Sequence, residues 1–242
     1  MSNEKEYTEG ISVQSKMLSK LDNFWYHYKW PTIAVVFFLI VGLVCGLQTC
    51  TMEKHDLVLI YSGRNALSAS QAEEICRVLE GICPEDFDGD GAKSLALSKY
   101  HVLSKEQIED MRKQKDPNGD PIFVDTNFFT TQYQTYSNYI MTGESSVAFL
   151  EPWLYEALVE AGRLEKIAGL VGSPAGAVGE YGVKLGDTQL YKTYGVMRAL
   201  PSDTVICLLS PLWKGGKSSN PEYYEREKEM FTAIVTFASE DN

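Results

Sequence analysis

Histidine is scarce in this chain of 242 residues, and that scarcity limits the chemistry the protein can perform. Only three histidines occur, and two of them, His27 and His55, flank one long apolar run. His101 alone is left for a folded domain, too little for a histidine-built metal site or a Ser-His-Asp triad. The G-x-S-x-G, H-E-x-x-H and phosphate-loop motifs are missing too. We therefore expect no enzyme, although the many acidic residues leave a catalytic carboxylate pair open.

The five cysteines are too few and too scattered for a disulfide framework, and their spacing matches no metal site. Cys45 and Cys50 lie in or beside the apolar run, and Cys207 lies in a short apolar segment that is typical of a buried strand. Cys76 and Cys83 can pair only if the helix predicted around Cys76 ends before Cys83. A glycine between them permits such an end, so the sequence leaves a Cys76–Cys83 disulfide open.

Positive charge is deficient in the larger part of the chain. From His55 onward there are 17 Lys and Arg against 28 Asp and Glu, so the whole formal charge of −11 belongs to this part. An acidic surface repels nucleic acid and anionic lipid. We therefore expect no nucleic-acid partner.

Charge is absent altogether from the 23 residues between Lys29 and Glu53. An α-helix needs about 20 apolar residues to cross the hydrocarbon core of a bilayer. The sequence therefore predicts three parts: a tail with a juxtamembrane amphipathic segment at 1–30, a transmembrane helix at 31–52, and an α/β domain at 54–242.

The residues that flank the apolar run predict its orientation. Aromatic rings crowd its amino-terminal side, as in an aromatic belt: Trp25, Tyr26, Tyr28 and Trp30. Lys16, Lys20 and Lys29 lie on that same side, and the far side carries no net positive charge. The positive-inside rule then places the amino terminus in the cytoplasm and the large domain outside a cell membrane crossed once.

Two further features of the apolar run bear on its role. A cleaved signal peptide is the alternative to an anchor, but its basic region would be about 30 residues long and its apolar core longer than the usual ~7–15. Within the run, Gly42 and Gly46 form a G-x-x-x-G, which permits close approach of two helices and thus dimerisation.

Beyond position 54, short apolar segments alternate with helical patterns. Strands are predicted at 57–61, 94–103, 146–150 and 204–209, whereas 168–190 is glycine-rich and fits no clear element. Helix starts are predicted at the capping boxes Ser70–Glu73 and Ser104–Gln107, and at Asn220 with proline next. This alternation favours an α/β architecture with a mainly parallel sheet.

Four segments resemble membrane-anchored extracytoplasmic proteins of Gram-positive bacteria whose domain is similar to type 2 periplasmic binding proteins. They are the juxtamembrane segment 20–29, the acidic turn 86–91, the segment 141–150 and the segment 162–167. The resemblance implies a reduced type 2 periplasmic-binding fold, because the domain is shorter than a two-lobed binding protein. Many members of this group have no assigned function.

Ligands of open α/β sheets bind beyond the carboxyl ends of the strands, and the residues there supply a candidate site. Small donors, one cation, one anion and two aromatic faces suit a small polar ligand. These residues are Ser62, Gly63, Arg64 and Asn65 after the first strand, Glu151 and Trp153 after a middle strand, and Ser210 and Trp213 after a late strand. The alternative is that they are ordinary loop residues and that both tryptophans pack in the core.

The acidic turn Asp86, Asp88, Asp90 and Gly91 has the pattern of the first half of a calcium loop. Position 12 of such a loop supplies a bidentate Glu, but here it is Leu97. Calcium is therefore a candidate ligand of Asp86, Asp88 and Asp90, and a solvated acidic turn is the alternative.

Together these features predict a non-catalytic, membrane-anchored protein that binds a small polar ligand or a partner in the cell envelope. The alternative is a structural interaction module that has kept the fold and lost the ligand pocket. Convergence of Arg64, Trp153 and Trp213 on an open cleft would favour ligand binding, and burial of both tryptophans would favour the module.

Overall fold

The structure is a computed structural model that describes residues 24–26, 28–46, 55–212 and 215–238. The chain divides into two compact units, one up to Glu53 and one from Lys54 onward.

The first unit contains helix α1, Tyr28–Gly46, which is long and apolar enough to cross a membrane. Its 19 residues rise about 28 Å, close to the ~30 Å hydrocarbon core. Large apolar side chains along it are exposed, among them Phe38 and Leu39. A continuous exposed apolar surface of this kind is typical of a segment that lipid covers. The predicted end of the span at residue 52 lies outside the described residues.

The second unit begins with alternating strands and helices. Its first half contains, in chain order, β1 Leu57–Gly63, α2 Ala69–Ile82, β2 Leu95–His101, α3 Lys105–Lys113, α4 Thr126–Thr142, β3 Val147–Leu150 and α5 Pro152–Glu160. Its second half contains the short elements α6 Ala168–Val171, β4 Ala177–Val178, β5 Gly182–Lys184, α7 Gln189–Thr193 and β6 Val205–Leu208, and then the long helix α8 Pro221–Thr236. The predicted α/β class is confirmed.

The strands form one sheet of six in the order β2-β1-β3-β6-β5-β4. β1 pairs in parallel with both β2 and β3. β6 runs antiparallel to β3 and to β5, and β4 runs antiparallel to β5. The sheet is therefore mixed, where the sequence predicts a mainly parallel one, because only the β2-β1-β3 half is built from βαβ connections.

Helices cover both faces of the sheet, and each face has its own apolar cluster. On one face, Leu59 and Tyr61 of β1 pack in a cluster with Ile75 of α2 and Phe231 of α8. On the other face, Ile60 shares a cluster with residues of α4 and α5: Tyr136, Ile140, Leu154 and Tyr155. This alternation along β1 follows from the two-residue period of a strand that is buried on both faces.

The helix starts follow their capping residues. Ser104 and Gln107 form the predicted capping box, and Asn220 caps α8 with Pro221 at its first position. The first box is wrong by two residues, because Ser68 and Gln71 cap α2 and Ser70 lies inside the helix. α2 extends to Ile82, and both Cys76 and Cys83 are buried free thiols, so the Cys76–Cys83 disulfide is not formed.

Candidate functional site

The carboxyl ends of β1, β2 and β3 meet at one edge of the sheet, and the candidate site lies there. In the sheet order the chain that leaves β1 goes to β2 on one side, whereas the chain that leaves β3 goes to the β6-β5-β4 side, which makes the gap between β1 and β3 a topological switch point. Arg64 follows β1 directly, and Glu151 follows β3 directly. The fold therefore brings these two predicted site residues together.

Arg64 and Glu151 form an ion pair across this switch point. Arg64 Nη1 donates to Glu151 Oε1, and the Arg64 backbone N–H donates to Oε2 at 3.2 Å. Glu151 is only 2% exposed, and Gln107 Nε2 also donates to its Oε1, at 2.9 Å. A buried carboxylate needs such partners, because an unpaired one is strongly unfavourable.

The second arm of the Arg64 guanidinium binds Asp203, in the turn before β6. Arg64 Nη2 donates to Asp203 Oδ1 at 2.5 Å. The hydrogen bond that Arg64 donates to Asp203, together with the charge of Glu151, holds the pKa of Arg64 above its usual value. Burial opposes ionisation of Asp203, but Arg64 outweighs this effect and keeps the pKa of Asp203 below its usual value. Arg64 thus binds two carboxylates of its own chain.

Ser62 and Asn65 lie at the same edge, and the fold uses both internally. Ser62 is fully buried, its carbonyl accepts from the Glu151 N–H at 2.9 Å, and its Oγ is buried without a hydrogen-bond partner among the described residues. Asn65 Nδ2 donates to the Ala199 carbonyl at 2.8 Å. The Asn65 N–H donates to Tyr61 Oη at 3.2 Å, and burial raises the pKa of that phenol to about 12.

Trp153 lies in a cleft beside this ion-paired cluster. The cleft has a volume of about 530 Å³ and lies between the first turns of α3, the amino-terminal half of α4 and the start of α5. Its lining comprises Leu103, Ser104, Lys105, Glu106, Ile108, Thr126, Phe129, Thr130, Tyr133 and Trp153. The Trp153 and Tyr133 rings stack with centroids 6.0 Å apart, and Trp153 is partly buried.

A second, smaller cavity of about 320 Å³ lies on the other side of Leu103. Arg64, Asn65 and Gln107 line it together with residues of α3. Leu103 lines both cavities. Trp213 lies outside the described residues, so the structure bears on only two members of the predicted cluster of Arg64, Trp153 and Trp213.

Several residues at this edge were not predicted from the sequence. Gln107 is recognisable as a helix cap, yet its amide also binds Glu151. Asp203 carries no motif, and nothing local links it to Arg64. Phe129 and Tyr133 belong to a helix rich in aromatic residues, a signal that could have indicated an aromatic cleft wall.

The acidic turn forms a compact carboxylate cluster away from this edge. Asp86 accepts from the N–H groups of Gly91 at 2.7 Å and Gly89 at 2.8 Å, which lowers the pKa of Asp86. Carboxylate oxygens of Asp56, Asp86 and Asp88 lie within 4.8 Å of one another and could hold a cation. The structure thus groups Asp86 and Asp88 with Asp56, where the sequence predicts Asp90. Asp90 instead accepts from the Ala92 N–H at 2.9 Å.

A buried carboxyl group lies beside the amino end of β3, at the opposite end of the strands from the candidate site. Glu227 of α8 has 0% exposure. It accepts from the Ser146 N–H at 2.5 Å and from Ser218 Oγ at 2.9 Å. Burial raises its pKa from 4.5 to about 7. Glu227 thus connects α8, the start of β3 and the segment that precedes α8.

Comparison with known proteins gives no independent identification. No protein-family model, no curated protein and no solved structure matches this chain.

Proposed function

We propose that this protein is a membrane-anchored, extracytoplasmic binding protein without catalytic activity, whose α/β domain captures a small molecule at the carboxyl edge of its parallel strands. The observation that carries this proposal is the pair of adjoining cavities beside the β1–β3 switch point. The resemblance to type 2 periplasmic binding proteins, reduced in size, is part of the same proposal.

The position and size of the cavities support ligand binding. Open α/β sheets bind ligands in the crevice beyond the carboxyl ends of their strands, at a switch point of this kind. Ligand sites usually measure about 300–1,000 Å³ and combine apolar and aromatic walls with a few polar groups. The cleft lined by Trp153 and Tyr133 has a volume in this range and walls of this kind.

The flanks of α1 support the orientation in this proposal. Lys16, Lys20 and Lys29 precede the apolar run, whereas Glu53, Lys54 and Asp56 follow it and carry no net positive charge. Positive charge is retained on the cytoplasmic side of a membrane helix. The domain from Lys54 onward would then face outward. Dimerisation through Gly42 and Gly46 stays a prediction of the sequence.

The arrangement around Glu151 favours binding over catalysis. Both carboxylate oxygens of Glu151 already accept hydrogen bonds from Arg64, and one also accepts from Gln107. A general base needs a carboxylate that can reach a substrate proton. Glu151 is held instead as a structural link between β1, β3 and α3.

One observation favours the alternative of a structural interaction module. Arg64, the cation expected to meet a polar ligand, is already paired with Glu151 and Asp203. In a module of this kind the cluster would only stabilise the strand ends, and the surface of the domain would bind a protein.

The proposal is tested by thermal unfolding of the full-length protein in lipid nanodiscs. Unfolding is followed in the presence of a panel of amino acids, sugars, peptides and ring compounds. A ligand that binds only the folded state raises the free energy of unfolding by about 2.7 kcal/mol when its concentration is a hundredfold above its dissociation constant. We expect one compound class to raise the midpoint in the wild type and in the control Met141→Ala, but not in Tyr133→Ala. Both residues are exposed on α4, and only Tyr133 lines the 530 Å³ cleft. No shift with any compound would favour the interaction module.

A further inference from the structure

We infer that the cleft between α3, α4 and α5 binds an uncharged ring compound, held by stacking and apolar contact rather than by charge. This inference rests on the proposed function and specifies its ligand class. It departs from the small polar ligand that the sequence predicts.

The walls of the cleft are mainly apolar and aromatic. Leu103, Ile108 and Phe129 line it together with the stacked rings of Tyr133 and Trp153. Tyr133 is 43% exposed, so much of its ring faces solvent. A flat ring placed against Tyr133 and Trp153 would remove apolar surface from water and gain the offset stacking that aromatic pairs prefer.

The charged groups of the cleft do not select a charged ligand. Lys105 and Glu106 are the charged residues in its lining, and they have opposite signs. Glu106 is also bound to Ser104, whose Oγ donates to Glu106 Oε2 at 2.9 Å. Arg64 lines the neighbouring cavity and is paired with two carboxylates. An ion entering the cleft would lose hydration, and its attraction to one of these two residues would be offset by repulsion from the other, which is unfavourable.

Three of the hydroxyl groups in the wall, those of Ser104, Thr126 and Thr130, already have partners. Thr126 Oγ1 accepts from Arg112 Nη2 at 2.6 Å, and Thr130 Oγ1 donates to the Thr126 carbonyl at 2.9 Å. Both oxygens thus already take part in a hydrogen bond within the chain. A polyol such as a sugar would therefore find few free polar partners here, whereas a ring compound needs only the apolar walls.

Three indoles of similar shape and different charge test this inference: indole, indole-3-acetate and tryptamine. Each is titrated calorimetrically into the full-length protein in nanodiscs, with empty nanodiscs subtracted. We expect indole to bind the wild type with a dissociation constant of about 1 mM or tighter. Each charged analogue should bind at least about tenfold more weakly, the effect of ~1.4 kcal/mol of lost interaction at 25 °C.

Two variants of α4 locate the site. Thr130→Trp fills the cleft, and Thr135→Trp places the same side chain elsewhere on α4. The two positions are matched, because both threonines are exposed and each Oγ1 donates to the carbonyl four residues earlier at 2.9 Å. Indole affinity should fall at least about tenfold in Thr130→Trp and stay at the wild-type value in Thr135→Trp. Tyr133→Ala, which removes a wall without filling the cleft, should also weaken binding.

The outcomes separate the ligand class from the proposed function. Equal or tighter binding of a charged indole overturns the inference, and so does unchanged indole affinity in both Thr130→Trp and Tyr133→Ala. If indole does not bind but a polar solute raises the unfolding midpoint, the ligand class is wrong and the binding function stands. If no compound of any class binds, both fail.

Discussion

Glu227 should make the stability of this protein fall as the pH rises through the weakly acidic range. Burial raises its pKa from 4.5 to about 7 in the folded state. Below pH 4.5 the group is protonated in both states. Between these two values the unfolded chain releases the proton while the folded chain keeps it, so the folded state loses stability with rising pH.

The size of the effect follows from the two pKa values. Each unit of separation corresponds to 1.36 kcal/mol, and the separation between 4.5 and about 7 therefore gives about 3 kcal/mol. Above about pH 7 the loss is complete. Lys217 and the hydrogen bonds from Ser146 and Ser218 favour the ionised form, but burial outweighs them. The nearby Tyr223 phenol has its own pKa raised, first by burial and then by the charge of Glu227.

The variant Glu227→Gln isolates this contribution. Its amide oxygen can accept from the Ser146 N–H and its amide nitrogen can donate to Ser218 Oγ, so the buried contacts survive without a titrating group. Denaturant unfolding at a series of pH values from 4 to 8 gives the free energy of unfolding of both proteins. We expect the wild type to lose about 3 kcal/mol relative to the variant across this range.

Glu229→Gln is the matched control, because it removes the same charge from an exposed position on the same helix. The reasoning would be refuted if the difference in free energy of unfolding between the wild type and Glu227→Gln did not change with pH. It would mean that the carboxyl group is not confined in the folded state as the structure shows.

Three further predictions concern the ion-paired cluster, the acidic turn and the orientation. Arg64→Met leaves Glu151 buried without its cation and should lower the free energy of unfolding by about 2 kcal/mol or more. Arg77→Met, which removes an exposed arginine 4.0 Å from Glu73, should change it by less than about 1 kcal/mol in the same denaturation assay. Calcium at millimolar concentration should raise the unfolding midpoint of the wild type and of Asp116→Asn but not of Asp86→Asn; equal shifts in all three would exclude the cluster of Asp56, Asp86 and Asp88. Protease added to intact cells should degrade the domain from Lys54 onward, and protection until the membrane is permeabilised would reverse the proposed orientation.

Local signals predicted the parallel half of the fold, the strand β6 and the start of α8, and missed the short elements between β3 and β6 for identifiable reasons. Ser104 with Gln107, and Asn220 with Pro221, are unambiguous helix starts, and the structure confirms both. Before α2 the pattern occurs twice, because Ser68 and Ser70 are each followed three residues later by Gln or Glu. Nothing local decides between them, and the prediction chose the wrong one.

The other half of the sheet depends on pairing between distant residues. Strands of two and three residues, Ala177–Val178 and Gly182–Lys184, are too short for a periodicity to show. Their place in the sheet comes from β6, whose antiparallel direction no local pattern specifies.

The candidate site was predictable to the extent that it lies at strand ends. Arg64 and Glu151 could be placed together because each follows an apolar strand directly. Asp203 could not, since only the tertiary fold brings the turn before β6 to Arg64. Glu227 did leave a trace, because its spacing from Tyr223 and Met230 puts it on the apolar face of α8. A charge at such a position indicates a buried carboxyl group.

The order in which the strands are synthesised has a consequence for how the domain reaches its final state. β6 lies next to β3 inside the sheet, but in the sequence it begins only at Val205, far beyond the end of β3 at Leu150. At about 5–20 residues per second the ribosome needs about 3–10 s to make this stretch. Throughout that interval one side of β3 lacks its hydrogen-bonding partner, and an unpaired apolar strand edge invites association with other chains. A nascent chain interrupted before β6 would therefore be prone to aggregate.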